Sequence, residues 1–320
     1  MTLPCGMRTP EDWRSRLPQL LPAPGWRTRF APAPTGYLHL GHLVNALHVW
    51  GIARAFGGIV VLHIEDHDRT RSRPEYEQAL LDDLEWLGFT PDVYDIPSFR
   101  ADSDVHPARQ SNQDVRYGAA LEHLSARGLV YPCRCTRRDI AQLVPHAPGE
   151  EARYPGSCRD AMVPTAETFA RRVRLSDECI RFHDLRLGTL AQTPQQQGGD
   201  LLVRDRHAQW TYQFAVVVDD MAHDIDVVIR GEDLLPSTGR QMQLASLLGR
   251  PRPMRVLHHT LLVHPDGSKL SKATHDTSLR DLRAGGATAA HLLAEAARRA
   301  GLSEIEAIAS RDVASLFAGH

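Results

Sequence analysis

Two histidines and two lysines are the residues of this chain best suited to bind phosphate. His39 and His42 stand three residues apart in His-Leu-Gly-His, where the N–H groups of a beginning helix would also attract an anion. Lys269 and Lys272 are the only lysines among 37 Lys and Arg residues, and they are also three apart. Lysine carries a mobile point charge that the rigid guanidinium of arginine cannot imitate. The four residues indicate a site for a multiply charged anion such as a triphosphate, although histidines near a helix start are often ordinary surface residues.

Three cysteines form a second candidate site. Cys133, Cys135 and Cys158 fall within 26 residues of irregular, proline- and arginine-rich chain. Three thiolates that converge in this way suit a tetrahedral zinc ion with one further ligand, although a C-x-C spacing alone is only moderately specific. His146 is the fourth ligand that thiolate–zinc chemistry favours. Because no disulfide framework is evident, the cysteines favour a reduced, cytoplasmic setting.

A strand–helix–strand unit would position the first motif. Periodicity predicts a strand at residues 26–30, a helix at 38–55 and a buried strand at 59–64, with a turn rich in proline before the helix. Such a unit is typical of α/β proteins with a parallel sheet. Further helices are predicted at 74–87, 107–127 and 236–248, strands at 214–218, 227–229 and 255–263, and several short helices after residue 279.

The composition limits the class of protein. The chain has 320 residues, 42% of them hydrophobic, and a net charge of −2, which excludes a disordered or uniformly basic protein. No apolar run is long enough to span a membrane, and the first 25 residues lack the apolar core of a signal sequence. Arginine clusters at 134–138, 171–174 and 250–255 could contact RNA phosphates or simply be solvated surface.

Four segments, in order, resemble class I aminoacyl-tRNA synthetases in the form used by the glutamyl and glutaminyl enzymes. Residues 29–42 resemble the first signature of that family, and Lys-Leu-Ser-Lys-Ala at 269–273 resembles the second. Residues 64–70 and 228–234 are similar to an acidic segment after the second strand and to a late strand and loop. The resemblance implies an α/β, Rossmann-like catalytic domain with a zinc-bearing insertion and a short helical C-terminal region.

The resemblance also implies that the enzyme activates L-glutamate with ATP, which is expected to carry Mg²⁺. Two arginines could each bind one carboxylate, a pattern that suits glutamate better than glutamine, and a glutamate could hold the α-ammonium. The implied catalytic residues are His39, His42, Lys269 and Lys272. The implied ATP-binding residues are His39, Gly41, His42 and Lys272. The implied glutamate-binding residues are Arg29, Phe30, Ala31, Pro32, Ala33, Glu65, Tyr212 and Arg230.

For the metal site, the resemblance implies one structural zinc ion. Its ligands would be Cys133, Cys135, Tyr154 and Cys158, with Tyr154 in the place for which ligand chemistry favours His146. The choice between these two residues stays open at this point.

The length of the region after the second signature helps to identify the molecule that accepts the activated amino acid. Only 47 residues follow Ala273, too few for an anticodon-binding domain. The chain therefore resembles a paralogous branch of the family that transfers glutamate to queuosine in the anticodon of tRNA(Asp). The alternatives are a short enzyme that charges a tRNA 3′ end, and a small-molecule nucleotidylyltransferase or carboxylate-activating ligase.

A monomer without membrane contact is expected. The expected regions are a Pro-rich arm at 1–25, the first half of the catalytic domain at 26–128, the zinc-bearing insertion and connective region at 129–190, the second half with the lysine loop at 191–275 and a helical stub at 276–320.

Overall fold

A computed structural model describes residues 13–101, 105–145, 152–161, 163, 168–262 and 277–318. Lys269, Lys272 and His146 therefore lie outside the described residues. Within the described ranges, no helix combines the length and the apolar character needed to cross a membrane.

The strands are short and fall into three groups. β1 pairs in parallel with β2, while the other strands form a sheet in the order β3-β4-β7 and a sheet in the order β6-β5-β9-β8. A backbone hydrogen bond of 2.9 Å from Asp226 N to Arg27 O joins the first group to the edge of the last. The strands are β1 (Arg27–Phe30), β2 (Ile59–Leu62), β3 (Val130–Cys133), β4 (Ala170–Val173), β5 (Ile180–Asp184), β6 (Gly188–Gln192), β7 (Leu201–Arg204), β8 (Val227–Gly231) and β9 (Arg255–His259).

The helices lie between and around these strands. The α-helices are α1 (Leu17–Leu20), α2 (Leu40–Ala55), α3 (Pro74–Leu87), α4 (Ile96–Ala101), α5 (Asp114–Ala126), α6 (Arg137–Leu143), α7 (Pro194–Gln197), α8 (Tyr212–Ala222), α9 (Thr238–Leu247), α10 (Leu279–Ala284) and α11 (Ala289–Arg299). The 3₁₀-helices are Gln110–Asn112, Glu232–Ser237 and Ser310–Leu316.

The predicted strand–helix–strand unit is confirmed. β1 and β2 pair in parallel from Arg27↔Ile59 onward, with α2 between them. After α2, Gly57 adopts a positive φ of 68°, a conformation in which glycine is favoured because it has no Cβ. β2 is wholly buried at Val60–Leu62, as expected of a parallel strand covered on both faces.

The strand predicted at residues 214–218 is wrong. These residues lie in α8, and all five are buried. A short apolar run does not distinguish a covered strand from a helix that is covered on all sides. Here the run packs into a second hydrophobic core, formed with residues of α5, β7 and α9, and the tertiary packing decides the outcome.

Residues 130–204 contribute a small antiparallel sheet of three strands. β3 pairs with β4, and β4 pairs with β7. β5 instead pairs in parallel with β9 at Asp184↔Val256, so it lies beside the strands of the catalytic domain. The boundaries expected from the sequence, including the one near residue 190, stay predictions.

Segments far apart in sequence meet behind α2. The Trp13 ring stacks on His48, with centroids 6.4 Å apart, and contacts the edge of Phe317 at 6.2 Å. Arg14 Nη1 donates to the carbonyls of Leu302 and Leu316 at 3.0 and 3.1 Å. This terminal contact, Trp13 and Arg14 against 302–317, covers the face of α2 that carries His48.

Candidate active site

A cavity of about 440 Å³ opens at the carboxyl ends of β1, β2, β8 and β9. Ligands of open α/β sheets bind at this edge because loops from several strands converge there. The cavity brings together residues that the sequence places up to 233 positions apart, from Arg29 to Leu262. Its lining includes the following residues singled out from the sequence: Arg29, Ala31, His39, Gly41, His42, Glu65, Tyr212 and Arg230.

Phe30, Pro32 and Ala33 are not among the residues that line this cavity. Alternation along β1 directs Phe30 into the core, where its ring lies 5.1 Å from that of Trp50. The carbonyl of Pro32 accepts a 3.1 Å hydrogen bond from the backbone N–H of Glu65. The segment from Phe30 to Ala33 therefore contributes to the cavity through its backbone, because the Pro32 carbonyl helps to position Glu65.

Arg29 is held by a carboxylate. Its Nε donates to Asp220 Oδ1 at 2.8 Å, and both side chains are 5% exposed. Burial opposes the charged form of Arg29, but Asp220, Tyr212 and Glu65 outweigh it, so the pKa of Arg29 is raised. Both terminal nitrogens, which this bond leaves unused, remain able to bind a second carboxylate.

Arg230 has neutral partners instead. Its Nε lies 3.1 Å from His258 Nε2, Nη1 donates to Gln241 Oε1 at 2.6 Å and Nη2 donates to Thr238 Oγ1 at 2.9 Å. In the described part of the chain, no ion pair joins Arg230 to a carboxylate. Burial accordingly lowers the pKa of Arg230. The arrangement leaves a buried positive charge beside the cavity.

Glu65 and Asp233 are the two carboxyl groups among the residues that line the cavity. Burial raises the pKa of Glu65 to about 8, against the opposing influence of Arg29. Burial also raises the pKa of Tyr212 to about 12, so its phenol keeps its proton near neutral pH. A ligand ammonium beside Glu65 would favour the carboxylate form.

His39 and His42 cap the start of α2. The backbone N–H of Gly41 donates to His39 Nδ1 at 3.0 Å, and the N–H of His39 donates to His42 Nδ1 at 3.1 Å. Because both Nδ1 atoms accept, the neutral rings carry their N–H on Nε2. A Cβ on Gly41 would lie 2.8 Å from His39 Cε1, so this position needs glycine if the His39 ring is to stay in place.

A second cluster lies at the end of β3. The Sγ atoms of Cys133, Cys135 and Cys158 lie within 4.8 Å of one another, with Cys135 and Cys158 3.6 Å apart. A tetrahedral ion with Zn–S bonds of about 2.3 Å separates sulfurs by about 3.8 Å, so the spacing fits zinc. Burial and the neighbouring thiol of Cys133 raise the pKa of Cys135 to about 12, so a cation is needed for three thiolates to coexist.

Tyr154 lies beside this cluster. Its hydroxyl lies 3.5 Å from Cys133 Sγ and accepts a 2.8 Å hydrogen bond from the N–H of Cys158. The guanidinium of Arg172 lies 3.8 Å above the Tyr154 ring, and the side chain is 1% exposed. The oxygen therefore lies at the edge of the thiol cluster, whereas His146 is outside the described residues.

Sequence reasoning missed the residues that hold the two arginines. Asp220 follows the apolar run for which the sequence predicts a strand, and Asp184 and His258 belong to no motif. Each acts through contacts between residues 28 to 191 positions apart. The only local signal was that the apolar runs end in carboxylates or an arginine.

Comparison with known proteins places these features in a family. Residues 26–315 match the family described as tRNA synthetases class I (E and Q), catalytic domain. The glutamyl-Q tRNA(Asp) synthetase of Burkholderia cenocepacia (strain HI2424) is 43% identical over 277 residues, which cover 84% of this chain and 88% of that protein. The protein of the same name from Nitratidesulfovibrio vulgaris is 37% identical over 289 residues, 86% of each chain.

Solved structures agree with these sequence matches. The glutamate-tRNA synthetase of Elizabethkingia anophelis superposes with a TM-score of 0.72 at 25% identity, covering 92% of this chain and 67% of that one. A glutamate tRNA ligase from Elizabethkingia meningosepticum, solved in complex with its amino acid, gives the same score and identity. This chain spans about two-thirds of the length of those two synthetases.

Proposed function

Because this chain belongs to the class I tRNA synthetase family of the glutamate and glutamine enzymes, on the branch of the glutamyl-Q tRNA(Asp) synthetases, we propose that it activates L-glutamate with ATP and transfers the glutamyl group to queuosine in the anticodon of tRNA(Asp). The relatives' names supply the acceptor. The cavity supplies an independent argument for the amino acid.

The observation that carries the choice of glutamate is that two buried guanidiniums and the carboxyl group of Glu65 line a single cavity. Glutamate has two carboxylates and one ammonium. Arg29 and Arg230 would each bind one carboxylate, and Glu65 would bind the ammonium. Tyr212, with its raised pKa, would act as a hydrogen-bond donor beside them.

The first reaction forms glutamyl-adenylate. An α-carboxylate oxygen attacks the α-phosphorus of ATP, the bond to the bridging oxygen breaks and pyrophosphate leaves. His39 and His42 would donate from Nε2 to the phosphates at the start of α2, where the helix dipole also favours an anion. Lys269 and Lys272, assigned from the sequence alone, would neutralise the departing pyrophosphate. Mg²⁺ would accompany ATP, and no protein residue is assigned to it.

The second reaction transfers the glutamyl group. A hydroxyl oxygen of the acceptor attacks the adenylate carbonyl, AMP leaves with the former carboxylate oxygen, and the hydroxyl proton is released. The nucleophiles of both steps belong to substrates, so the protein contributes positioning and charge neutralisation.

Zinc would have a structural role. Cys133, Cys135, Cys158 and Tyr154 would hold it, and bound there it would cross-link the end of β3 to the segment around residue 158. Neither reaction needs a metal-bound water at that site. The three thiols and the nearby phenol oxygen support this assignment through their mutual distances.

Glutamate transfer to purified tRNA tests the function. Labelled glutamate should enter tRNA(Asp) that contains queuosine and should not enter tRNA(Asp) that lacks it. Nuclease mapping should place the label in the anticodon loop. Label at the 3′ end of tRNA(Glu) would identify a short glutamyl-tRNA synthetase instead, and pyrophosphate exchange with another acid, without a tRNA product, would indicate a small-molecule ligase.

A variant tests the nucleotide step separately. Lys272→Ala should depress glutamate-dependent ATP–pyrophosphate exchange at least a hundredfold, since the loss of one transition-state donor typically costs about 2.7–4 kcal/mol. The circular dichroism spectrum should stay unchanged. Exchange at the rate of the unaltered protein would remove Lys272 from the site.

A further inference from the structure

A buried histidine connects Arg230 to a carboxylate two strands away. His258 on β9 lies between Asp184 on β5 and Arg230 on β8. Its Nδ1 is 2.6 Å from Asp184 Oδ2, and its Nε2 is 3.1 Å from Arg230 Nε. Because β5, β9 and β8 are adjacent in the sheet, backbone pairing fixes the spacing of all three side chains.

The chemistry of the partners fixes the proton on His258. The Asp184 carboxylate only accepts, so Nδ1 must carry the N–H, and Arg230 only donates, so Nε2 must carry the lone pair. His258 is fully buried, and burial lowers its pKa, which keeps the ring neutral. Thr238 Oγ1 also lies 3.1 Å from Nε2, beside Arg230 Nε.

Asp184 is itself held rigidly. Its Oδ1 accepts from the backbone N–H groups of Arg186 and Leu187 at 2.9 and 2.8 Å, and its Oδ2 accepts from the backbone N–H of His258 at 3.1 Å. With the ring N–H, the carboxylate has four donors, so its negative charge is satisfied locally. It orients His258 without being in contact with Arg230.

The other side chains that hydrogen-bond to Arg230 are also uncharged. Gln241, which accepts from Nη1, donates to Gln213 Oε1 at 2.7 Å, and Gln213 in turn donates to Ser237 Oγ at 2.8 Å. Three of the five N–H groups of Arg230 are thus directed to uncharged acceptors. The other two N–H groups lie one on each terminal nitrogen, and the Tyr212 side chain is a further, uncharged hydrogen-bond partner of Arg230.

We propose that Asp184 and His258 are positioning residues that determine specificity for an acidic amino acid. They hold Arg230 through a neutral acceptor, which fixes the guanidinium and leaves its charge to be balanced by the substrate carboxylate. An amide in that place would present N–H groups to a guanidinium that can only donate, and a buried unpaired donor is strongly disfavoured. The inference rests on the proposed function, because it assumes that Arg230 binds a carboxylate of glutamate.

A pair of variants at position 258 tests this role. Asn can keep the bond to Asp184 but is too short to reach Arg230, whereas Gln can place its oxygen near the Nε2 position and accept from Arg230. His258→Asn should raise the glutamate Kd, measured by calorimetry, at least tenfold and should narrow the preference for glutamate over glutamine. His258→Gln should stay within about threefold of the unaltered protein, and KM for ATP should change little in either variant.

Asp184→Asn and His106→Asn complete the design. Asp184→Asn should reproduce the effect of His258→Asn, because an amide N–H facing Nδ1 would favour the tautomer with N–H on Nε2, directed at Arg230. His106 is another buried histidine, bonded to Ser98 at 3.0 Å, and His106→Asn should lower the melting temperature without changing the Kd or the selectivity.

The outcomes separate the two proposals. If the unaltered protein neither binds glutamate nor supports glutamate-dependent pyrophosphate exchange, the proposed function fails. If it does both, and His258→Asn keeps the same glutamate Kd and the same glutamate preference, the positioning role is overturned. Equal losses in the Asn and Gln variants would also overturn it, because they would indicate a merely structural histidine.

Discussion

Asp220 lies against the guanidinium of Arg29, with 2.8 Å between Oδ1 and Nε, although 191 residues separate them in sequence. β1 provides the cation and α8 provides the anion. The pair joins a strand near the start of the described chain to a helix far along the sequence, so the orientation of the Arg29 side chain depends on both elements.

Replacement of Asp220 by Asn should destabilise the protein and weaken glutamate binding together. The change leaves a buried guanidinium without its counter-ion, at a cost of about 3 kcal/mol in the free energy of unfolding. Urea unfolding and calorimetry with glutamate would measure the two effects. Asp224→Asn, at an exposed position of the following turn, should change neither quantity; an Asp220→Asn variant with unaltered stability would contradict the importance of the ion pair.

Glu65 should make the unaltered protein less stable as the pH rises. Its pKa is near 8 in the folded protein and 4.5 in an ordinary setting. Between those values the folded state holds a proton that the unfolded chain releases, so the free energy of unfolding falls with increasing pH. Glu65→Gln should lack this contribution, so its slope between pH 5 and 8 in urea titrations should differ from that of the unaltered protein, while Glu122→Gln, on an exposed face of α5, should retain the unaltered slope. A slope that is the same in all three proteins would refute the assignment.

Glutamate binding should release a proton at pH 7. The ligand ammonium favours the charged form of Glu65, whose pKa near 8 means that it is mostly protonated beforehand. Affinity should therefore increase from pH 6 to pH 8. Calorimetry in two buffers with different ionisation enthalpies counts the released protons directly, and equal apparent enthalpies in the two buffers would show that Glu65 does not change its protonation state.

Gly41→Ala should impair catalysis while leaving stability almost unchanged. The new Cβ would meet His39 Cε1 at 2.8 Å and displace the ring, so ATP–pyrophosphate exchange should fall at least tenfold. Gly118 is a matched control because it also lies in a helix but has nothing within 4 Å of an added Cβ. Gly118→Ala should raise the free energy of unfolding by about 0.5–1 kcal/mol and leave exchange intact.

Cys133→Ser should remove bound metal and loosen the insertion. Metal analysis should find about one zinc ion per unaltered chain and much less in the variant, and limited proteolysis should become faster near residues 130–160 because a structural site contributes to folding. Cys179 is exposed, and Cys179→Ser should behave as the unaltered protein does. Full zinc content in Cys133→Ser would rule out this cluster as the site.

The sequence predicts those helices and strands whose ends are set by nearby residues. Pro74 at the first turn and Gly88 after the last one bound α3 at the predicted residues, and α2 begins within two residues of its prediction. The prediction of a strand at 214–218 is wrong because the structure of this segment has no local cause. Whether Phe214 belongs to a strand or a helix depends on what surrounds it, which is a property of the assembled core.

The candidate site follows the same division. Arg29, Glu65 and Arg230 stand in motifs, so the sequence predicts them, and the cavity contains them all. Asp184 and His258 acquire their relationship only when β5 and β9 become neighbours, 74 residues apart in sequence. No local sequence pattern predicts the contact between Asp184 and His258.

The terminal contact makes the active site sensitive to fraying. His48, which Trp13 and Phe317 cover, stacks on His259 with centroids 4.7 Å apart, and His259 lines the cavity. Local opening of chain ends usually costs little free energy and leaves the interior intact. Here the opening of residues 13–20 or 310–317 would expose the wall of the cavity at His259, so activity on heating should disappear before the central strands exchange their amide hydrogens.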